Sequence, residues 1–333
     1  MKILIFRTGA FGDTLITTPV VRALHNLGHK IFYCTGKRGL QVLQGNSHIE
    51  KLIEHDESIS VDNLGDHIDY LKRKHHCDVV IDFCESIEVA LSQHPRGADY
   101  KLPKPERIAK FNKNFYEHTY DWAEEKLGIE IANRDHRPEL FFTDVELEAA
   151  RKHLKPMSYN VLIGLAGSGS NKAWPWMMDF CNETSKLHPD VHFITVGDVK
   201  CQLLEDAIDC NVTKLSGEIP MRTSMALTSM VDLVICPDTG IIHAAGAYNT
   251  PKIGLLGHNT KECITKHFAN DYSLESDEKL APCSPCLYLV YDIKLQCPLG
   301  TKFGASLCME SGITPERVYE QFKKVYDKHK KRS

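Results

Sequence analysis

Four groups of residues have the types and the spacing to do chemistry. Asp13 closes the turn Gly9-Ala10-Phe11-Gly12-Asp13, between a short apolar run ending at Arg7 and a helical pattern through Leu15, Ile16, Val20, Ala23, Leu24 and Leu27. Gly9 and Gly12 let the chain bend at the carboxyl end of a strand, where open α/β sheets place their ligands. Asp13 is there either the helix N-cap or a base that takes a proton late in a reaction. The second group is the loop AGSGSNKAWP, Ala166 to Pro175. Its small residues allow close backbone approach, Ser168 and Ser170 offer hydroxyls and Lys172 a point charge. That is a phosphate-cradling set, although it matches neither the dinucleotide fingerprint nor the P-loop. The third is PDTGIIHAAGA, Pro237 to Ala247. The amides of Thr239, Gly240 and Ile241 at a helix start suit an anion and the Asp238 carboxylate suits a sugar hydroxyl; the alternative is that Asp238 only caps the helix and His243 only packs. The fourth is Cys283, Cys286, Cys297 and Cys308, spaced C-x2-C-x10-C-x10-C. That spacing fits a four-thiolate zinc or iron site, with free thiols as the alternative.

Positioning these groups requires strands and helices in alternation. Apolar runs at Lys2 to Arg7, Lys30 to Cys34, Lys51 to Glu54 and Cys77 to Asp82 alternate with helical patterns, which signals a parallel sheet covered by helices. Pro19 is expected to kink the first helix. Tyr116 to Leu127 reads as a helix stopped by Gly128, and Pro138 to Phe142 as one last strand. After Lys155-Pro156-Met157-Ser158 the scheme repeats. Strands are expected at Asn160 to Leu165, His192 to Val196, Val212 to Leu215 and Leu233 to Cys236, with helices at Pro175 to His188, Cys201 to Ile208 and Met221 to Met230. The expected division is 1–156, 157–313 with a cysteine-rich loop at 281–309, and a final helix over 314–333.

Composition sets the class. The 333 residues are 42% hydrophobic and 25% charged, enough for two cores of ordinary size. A net charge of −4 argues against coating nucleic acid by bulk charge. The first apolar run breaks at Arg7 to Gly12 and no long apolar span follows, so a cytoplasmic protein is expected, with peripheral contact at the inner membrane face as an option. Eight of the twelve cysteines, Cys34, Cys84 and Cys236 among them, read as small buried hydrophobes. Between Gln93 and Phe115 stand Arg96, Lys101, Lys104, Arg107, Lys110 and Lys113 against only Asp99 and Glu106, which is either a solvated surface or a basic rim for an anionic partner.

The opening KILIFRTGAFGDTLITTPVVRAL, the SNKAWP loop and PDTGIIHAAGAYNTPKIGLLG together resemble glycosyltransferase family 9, the ADP-heptose lipopolysaccharide heptosyltransferases. The motifs span both halves in the family's order. The resemblance implies a GT-B architecture: two Rossmann-like domains about a cleft, acceptor on the first and sugar nucleotide on the second. In such proteins a final helix often crosses back onto the first domain. It further implies an inverting transferase needing no metal or cofactor for catalysis, acting on an ADP-heptose-like donor. Asp13 then matches the general base and Lys172 the lysine that neutralises the diphosphate, with Ser168 and Gly169 beside it. Asp238, Thr239 and Gly240 match the sugar- and diphosphate-binding residues, and His243 a histidine of the motif. Gly12, Arg96, Lys101, Lys104 and Arg107 stand where an anionic acceptor would be met, by default a lipopolysaccharide-type glycolipid, with a glycoprotein or modified nucleic acid as alternatives. Related cysteine loops hold iron in some members; a zinc or iron held here is expected to be structural, because the implied transfer needs no metal. Competing classes are a nucleotide-dependent oxidoreductase, disfavoured by the missing G-x-G-x-x-G, and a non-catalytic binding protein.

Overall fold

The computed structural model describes residues 1–84, 102–287, 297, 299–300 and 304–330. The chain forms two compact units, Met1–Gly97 with Asn114–Thr143, and Ala98–Lys113 with Asp144–Ser333. In chain order the first unit begins with β1 (Lys2–Phe6), α1 (Phe11–Asn26), β2 (Lys30–Thr35), α2 (Lys37–Leu43), β3 (Lys51–Glu54), α3 (Leu64–Lys74) and β4 (Val79–Asp82). Helix α4 (Lys104–Phe111) belongs to the second unit, and α5 (Phe115–Leu127) returns to the first.

The four strands are parallel in the order β3-β2-β1-β4. Ile3, Leu4, Ile5 and Phe6 are all fully buried, as a parallel strand covered on both faces requires. Pro19 does not end α1, which runs unbroken from Phe11 to Asn26. A proline leaves the carbonyl four residues earlier without its helical donor. The hydroxyl of Thr18 donates to that carbonyl, Leu15 O, at 2.8 Å. Helix α5 is capped by Asn114, whose side chain accepts from the Tyr116 amide at 3.0 Å, and it stops at Gly128 with φ 63°. The strand expected at Pro138 to Phe142 is absent. The Glu139 amide donates to the Thr18 hydroxyl at 3.0 Å, and the segment runs along α1 by side-chain bonds instead of a ladder.

The second unit continues with α6 (Asp144–Arg151), β5 (Tyr159–Gly164), α7 (Met177–Leu187), β6 (Val191–Val196), α8 (Gln202–Asp206), β7 (Val212–Lys214), α9 (Met221–Leu227), β8 (Leu233–Pro237), α10 (Gly240–Gly246), β9 (Lys252–Leu256), α11 (Lys261–Ile264), β10 (Leu274–Glu275), α12 (Leu307–Glu310) and α13 (Pro315–His329). Its six parallel strands lie in the order β10-β9-β8-β5-β6-β7. Counted from β5 as the first strand, this is the doubly wound order 3-2-1-4-5-6, whose ligand site lies where the winding reverses, beyond the carboxyl ends of β5 and β8. Helix α13 buries Val318, Phe322, Val325 and Tyr326 in this unit's core, with the Phe322 ring edge-on to Phe180 at 5.9 Å.

Candidate functional site

The reversal point of the second sheet gathers a compact charged cluster. The loop leaving β5 is pinched shut by an antiparallel bridge between Ala166 and Ala173 and by the Gly167 amide donating to the Lys172 carbonyl at 2.8 Å. Glycine is required at 167, because a Cβ there would lie 2.9 Å from the Lys172 Cβ and 3.1 Å from a Thr239 methyl. The loop thereby aims Lys172 at the end of β8, where its Nζ lies 3.2 Å from Asp238 Oδ2. Asp238 is almost fully buried and has three further partners. Asn259 Nδ2 donates to Oδ2 at 2.8 Å, and the Nε2 atoms of His243 and His258 each lie 3.7 Å from one carboxylate oxygen. Burial alone would raise its pKa, but Lys172, His243 and His258 outweigh that and hold the carboxyl well below its usual range. Burial, then the Lys172 charge, pushes His258 down to about 4, so it is neutral at pH 7 and accepts from Asn259 at 3.1 Å.

Of the residues singled out here, Thr239 is the N-cap of α10 and Gly240 its first residue, while His243 is buried edge-on to Phe268 at 6.2 Å. Ser168 is exposed on the loop, and Gly169 accepts from the Lys172 amide at 2.9 Å. His258 and Asn259 were not anticipated. They lie on the turn after β9, a strand that begins at the fully buried Lys252.

In the first unit Asp13 is the third residue of α1 and not its N-cap, which is Ala10. Its Oδ2 reaches back to accept the Ala10 amide at 2.7 Å, and its Oδ1 lies 3.3 Å from Nη2 of Arg7. Arg7 is completely buried one residue past β1, and sequence reasoning passed over it as the end of an apolar run. Its lone charge there was the available signal, since arginine is almost never fully buried without a partner. Gly12 is buried in the first turn of α1.

Lys104 and Arg107 do not form an open basic rim. Lys104 pairs with Glu278 at 2.9 Å and donates to the carbonyls of Pro282, at 3.0 Å, and Ser284. Arg107, buried, donates to the Cys286 carbonyl at 3.0 Å and to that of Leu102. Both fasten α4 to the turn that carries Cys283 and Cys286. Arg96 and Lys101 lie outside the described residues. The cysteine turn is in turn tied to the residues behind Asp238, with Ser284 Oγ donating to the Gly257 carbonyl at 2.6 Å and the Leu287 amide to that of His258 at 2.9 Å. The Cys308 thiol is raised to about 12 by burial and then by Cys286, Cys283 and Cys297, and Cys283 is raised by burial and then by Cys297.

Each of the two parallel α/β units carries a charged pair where its winding reverses. The family model for glycosyltransferase family 9 (heptosyltransferase) matches residues 89–287, and the chain belongs to that family. Solved structures share its GT-B fold. The family-9 glycosyl transferase of Veillonella parvula has a TM-score of 0.70 at 14% identity, over 98% of this chain and 97% of that one. The ADP-heptose lipopolysaccharide heptosyltransferase II of E. coli has a TM-score of 0.67 at 16% identity, over 99% and 100%. The dodecameric iron-containing heptosyltransferase TibC of enterotoxigenic E. coli has a TM-score of 0.63 at 14% identity, over 98% and 76%. None of the curated proteins matches the sequence. The protein is thus a glycosyltransferase, heptosyltransferase-like in structure. Among the described residues no helix is long and apolar enough to cross a membrane.

Proposed function

We propose that this glycosyltransferase moves a sugar, a heptose in the first instance, from an ADP-linked donor to an acceptor hydroxyl with inversion and without a catalytic metal. The observation that carries the reading is the Lys172–Asp238 pair at the reversal point of the second sheet, with the lysine as its more accessible member. Lys172 receives the donor diphosphate, and Asp238, ionised and held in place by Asn259, accepts hydrogen bonds from donor hydroxyls. Ser168, Gly169, Thr239 and Gly240 line the approach, and His243 orients Asp238. The acceptor oxygen attacks the anomeric carbon, the bond from that carbon to the diphosphate oxygen breaks, and the acceptor proton passes to Asp13. One displacement needs one base and no covalent enzyme intermediate. Charge gathers on the departing ADP, and a fixed lysine offsets it where a divalent ion would otherwise be needed.

The donor assignment is supported by the solved relatives described as bound to ADP and to ADP-D-β-D-heptose. The acceptor is anionic and held by the first unit, a lipopolysaccharide-type glycolipid by default, with glycoprotein or nucleic acid as the alternatives; the protein works in the cytoplasm at the inner membrane face. The four cysteines have the donor chemistry for a structural zinc or iron, the latter found in TibC. Such an ion holds the turn behind Asp238 and takes no part in the transfer.

The test is calorimetric titration with ADP, ADP-heptose, UDP-glucose and NAD without added divalent metal, followed by NMR assignment of the product anomer. Preferential binding of the ADP-sugar and an inverted product are expected; binding of NAD alone, or a retained anomer, overturns the reading.

A further inference from the structure

A second cluster of ligating side chains lies in the first unit, on elements the transfer reaction does not use. Cys34 is the fifth residue of β2, His55 immediately follows β3, and His67 is the fourth residue of α3. Their ligand atoms, one thiol sulfur and one ring nitrogen from each imidazole, all lie within 4.8 Å of one another. We propose that Cys34, His55 and His67 bind a zinc-class divalent transition metal.

Three observations support this site. First, the parallel register brings the elements together: Cys34 pairs with Ile53 across β2 and β3, and the His55 amide donates to the Thr35 carbonyl at 2.8 Å, so both side chains are set by the sheet itself. His67 is brought in by α3, whose Ile68 and Leu71 pack on Cys34, Leu4 and Phe6. Second, two ring nitrogens are buried without a hydrogen-bond partner, Nδ1 of His55 and Nε2 of His67, and His55 is 91% buried. A buried polar atom left unpaired costs about 1–3 kcal/mol, and two beside one thiol mark a place where a ligand belongs. Third, the donor set selects the metal. One sulfur and two imidazole nitrogens suit zinc and its neighbours and reject magnesium and calcium, which take oxygen. Around a tetrahedral zinc, sulfur and nitrogen ligands stand about 3.4 to 3.6 Å apart, which small side-chain rotations reach from the present separations. The three ligands leave the fourth position to water.

The site would tie β2, β3 and α3 together at the carboxyl edge of the sheet. The Cys34 carbonyl accepts the amide of Arg7 at 3.1 Å, and Arg7 is the partner of Asp13. Metal binding therefore stiffens the strand end on which the proposed base depends.

The test uses the full chain with Cys283→Ser and Cys286→Ser to remove the other thiol pair, stripped with chelator and titrated with cobalt(II). One equivalent should bind, with visible ligand-field bands and a thiolate-to-cobalt charge-transfer band. Cys34→Ser should abolish the charge-transfer band, and His67→Ala, at a partly exposed helix position, should weaken binding at least about tenfold. No cobalt spectrum, or one unchanged in both variants, overturns the proposal. If the double serine variant does not fold, metal content is compared between the wild-type chain and His67→Ala. A loss of one equivalent supports the site, and equal content overturns it.

Discussion

Each unit places a carboxylate and a cation at the carboxyl ends of parallel strands, but the burial is reversed. In the first unit the cation is hidden and the acid looks out: the side chain of Arg7 is 0% exposed and that of Asp13 19%. In the second the acid is hidden and the cation looks out: the side chain of Asp238 is 5% exposed and that of Lys172 25%. In the proposed function the same pair of charges offers a proton acceptor on one unit and an anion receiver on the other. Which member of an ion pair is buried, more than the presence of the pair, decides what chemistry the site presents.

The strongest way to break this contrast is at the more accessible acid, Asp13. Asp13→Asn keeps an oxygen for the Ala10 amide while removing the base, so turnover should fall by about 10²- to 10⁴-fold with donor affinity within a few fold. Steady-state kinetics alongside calorimetry measure both, and unimpaired turnover rejects the assignment. At the more accessible cation, Lys172→Ala should weaken ADP binding by roughly 10- to 100-fold, the worth of a charged hydrogen bond, with a smaller effect on acceptor affinity. Unchanged ADP affinity would remove the lysine from the donor site.

The buried acid can be tested through pH. His258 is a base whose folded pKa lies below its unfolded one, from 6.5 down to about 4, through burial and Lys172. Its contribution is fully present above the unfolded value and lost as pH falls through that window, about 3 kcal/mol in all. Melting temperature should therefore drop between about pH 6.5 and 4, and His258→Asn should flatten part of that slope; an identical slope would show that the histidine does not titrate this way. The smallest effect is expected at the support behind the cluster. Cys283→Ser with Cys286→Ser should lower the melting temperature by several degrees and donor affinity only slightly, with one equivalent of bound zinc or iron lost by elemental analysis. A wild-type protein free of both metals removes the proposed four-thiolate ion.

Much of the framework was legible because apolar period and glycine turns report local structure. The strand–turn–helix of residues 2–26 and the loops at Lys172 and Asp238 were readable from residue order alone. What escaped was decided at long range. Lys252 stands inside β9 because its Nζ donates to the carbonyls of Tyr248, at 3.0 Å, and Ala269, at 2.6 Å, partners no window of sequence reveals. His258 and Asn259 act on a carboxylate about twenty residues away. Pro138 to Phe142 had a strand's composition but found its bonds on α1. Lys104 and Arg107 had the composition of a rim, yet the turn at 282–286 claims them.

That last attachment has a consequence for how the chain can be cut and exchanged. Because Ala98–Lys113 folds with the carboxy-terminal unit, the polypeptide passes between the units three times, and a single breakpoint cannot separate them. A chimera joined once near residue 144 would leave the recipient's own α4 facing a foreign cysteine turn. Exchanging the carboxy-terminal unit between relatives therefore calls for moving two segments together, 98–113 and 144–333, as one genetic unit.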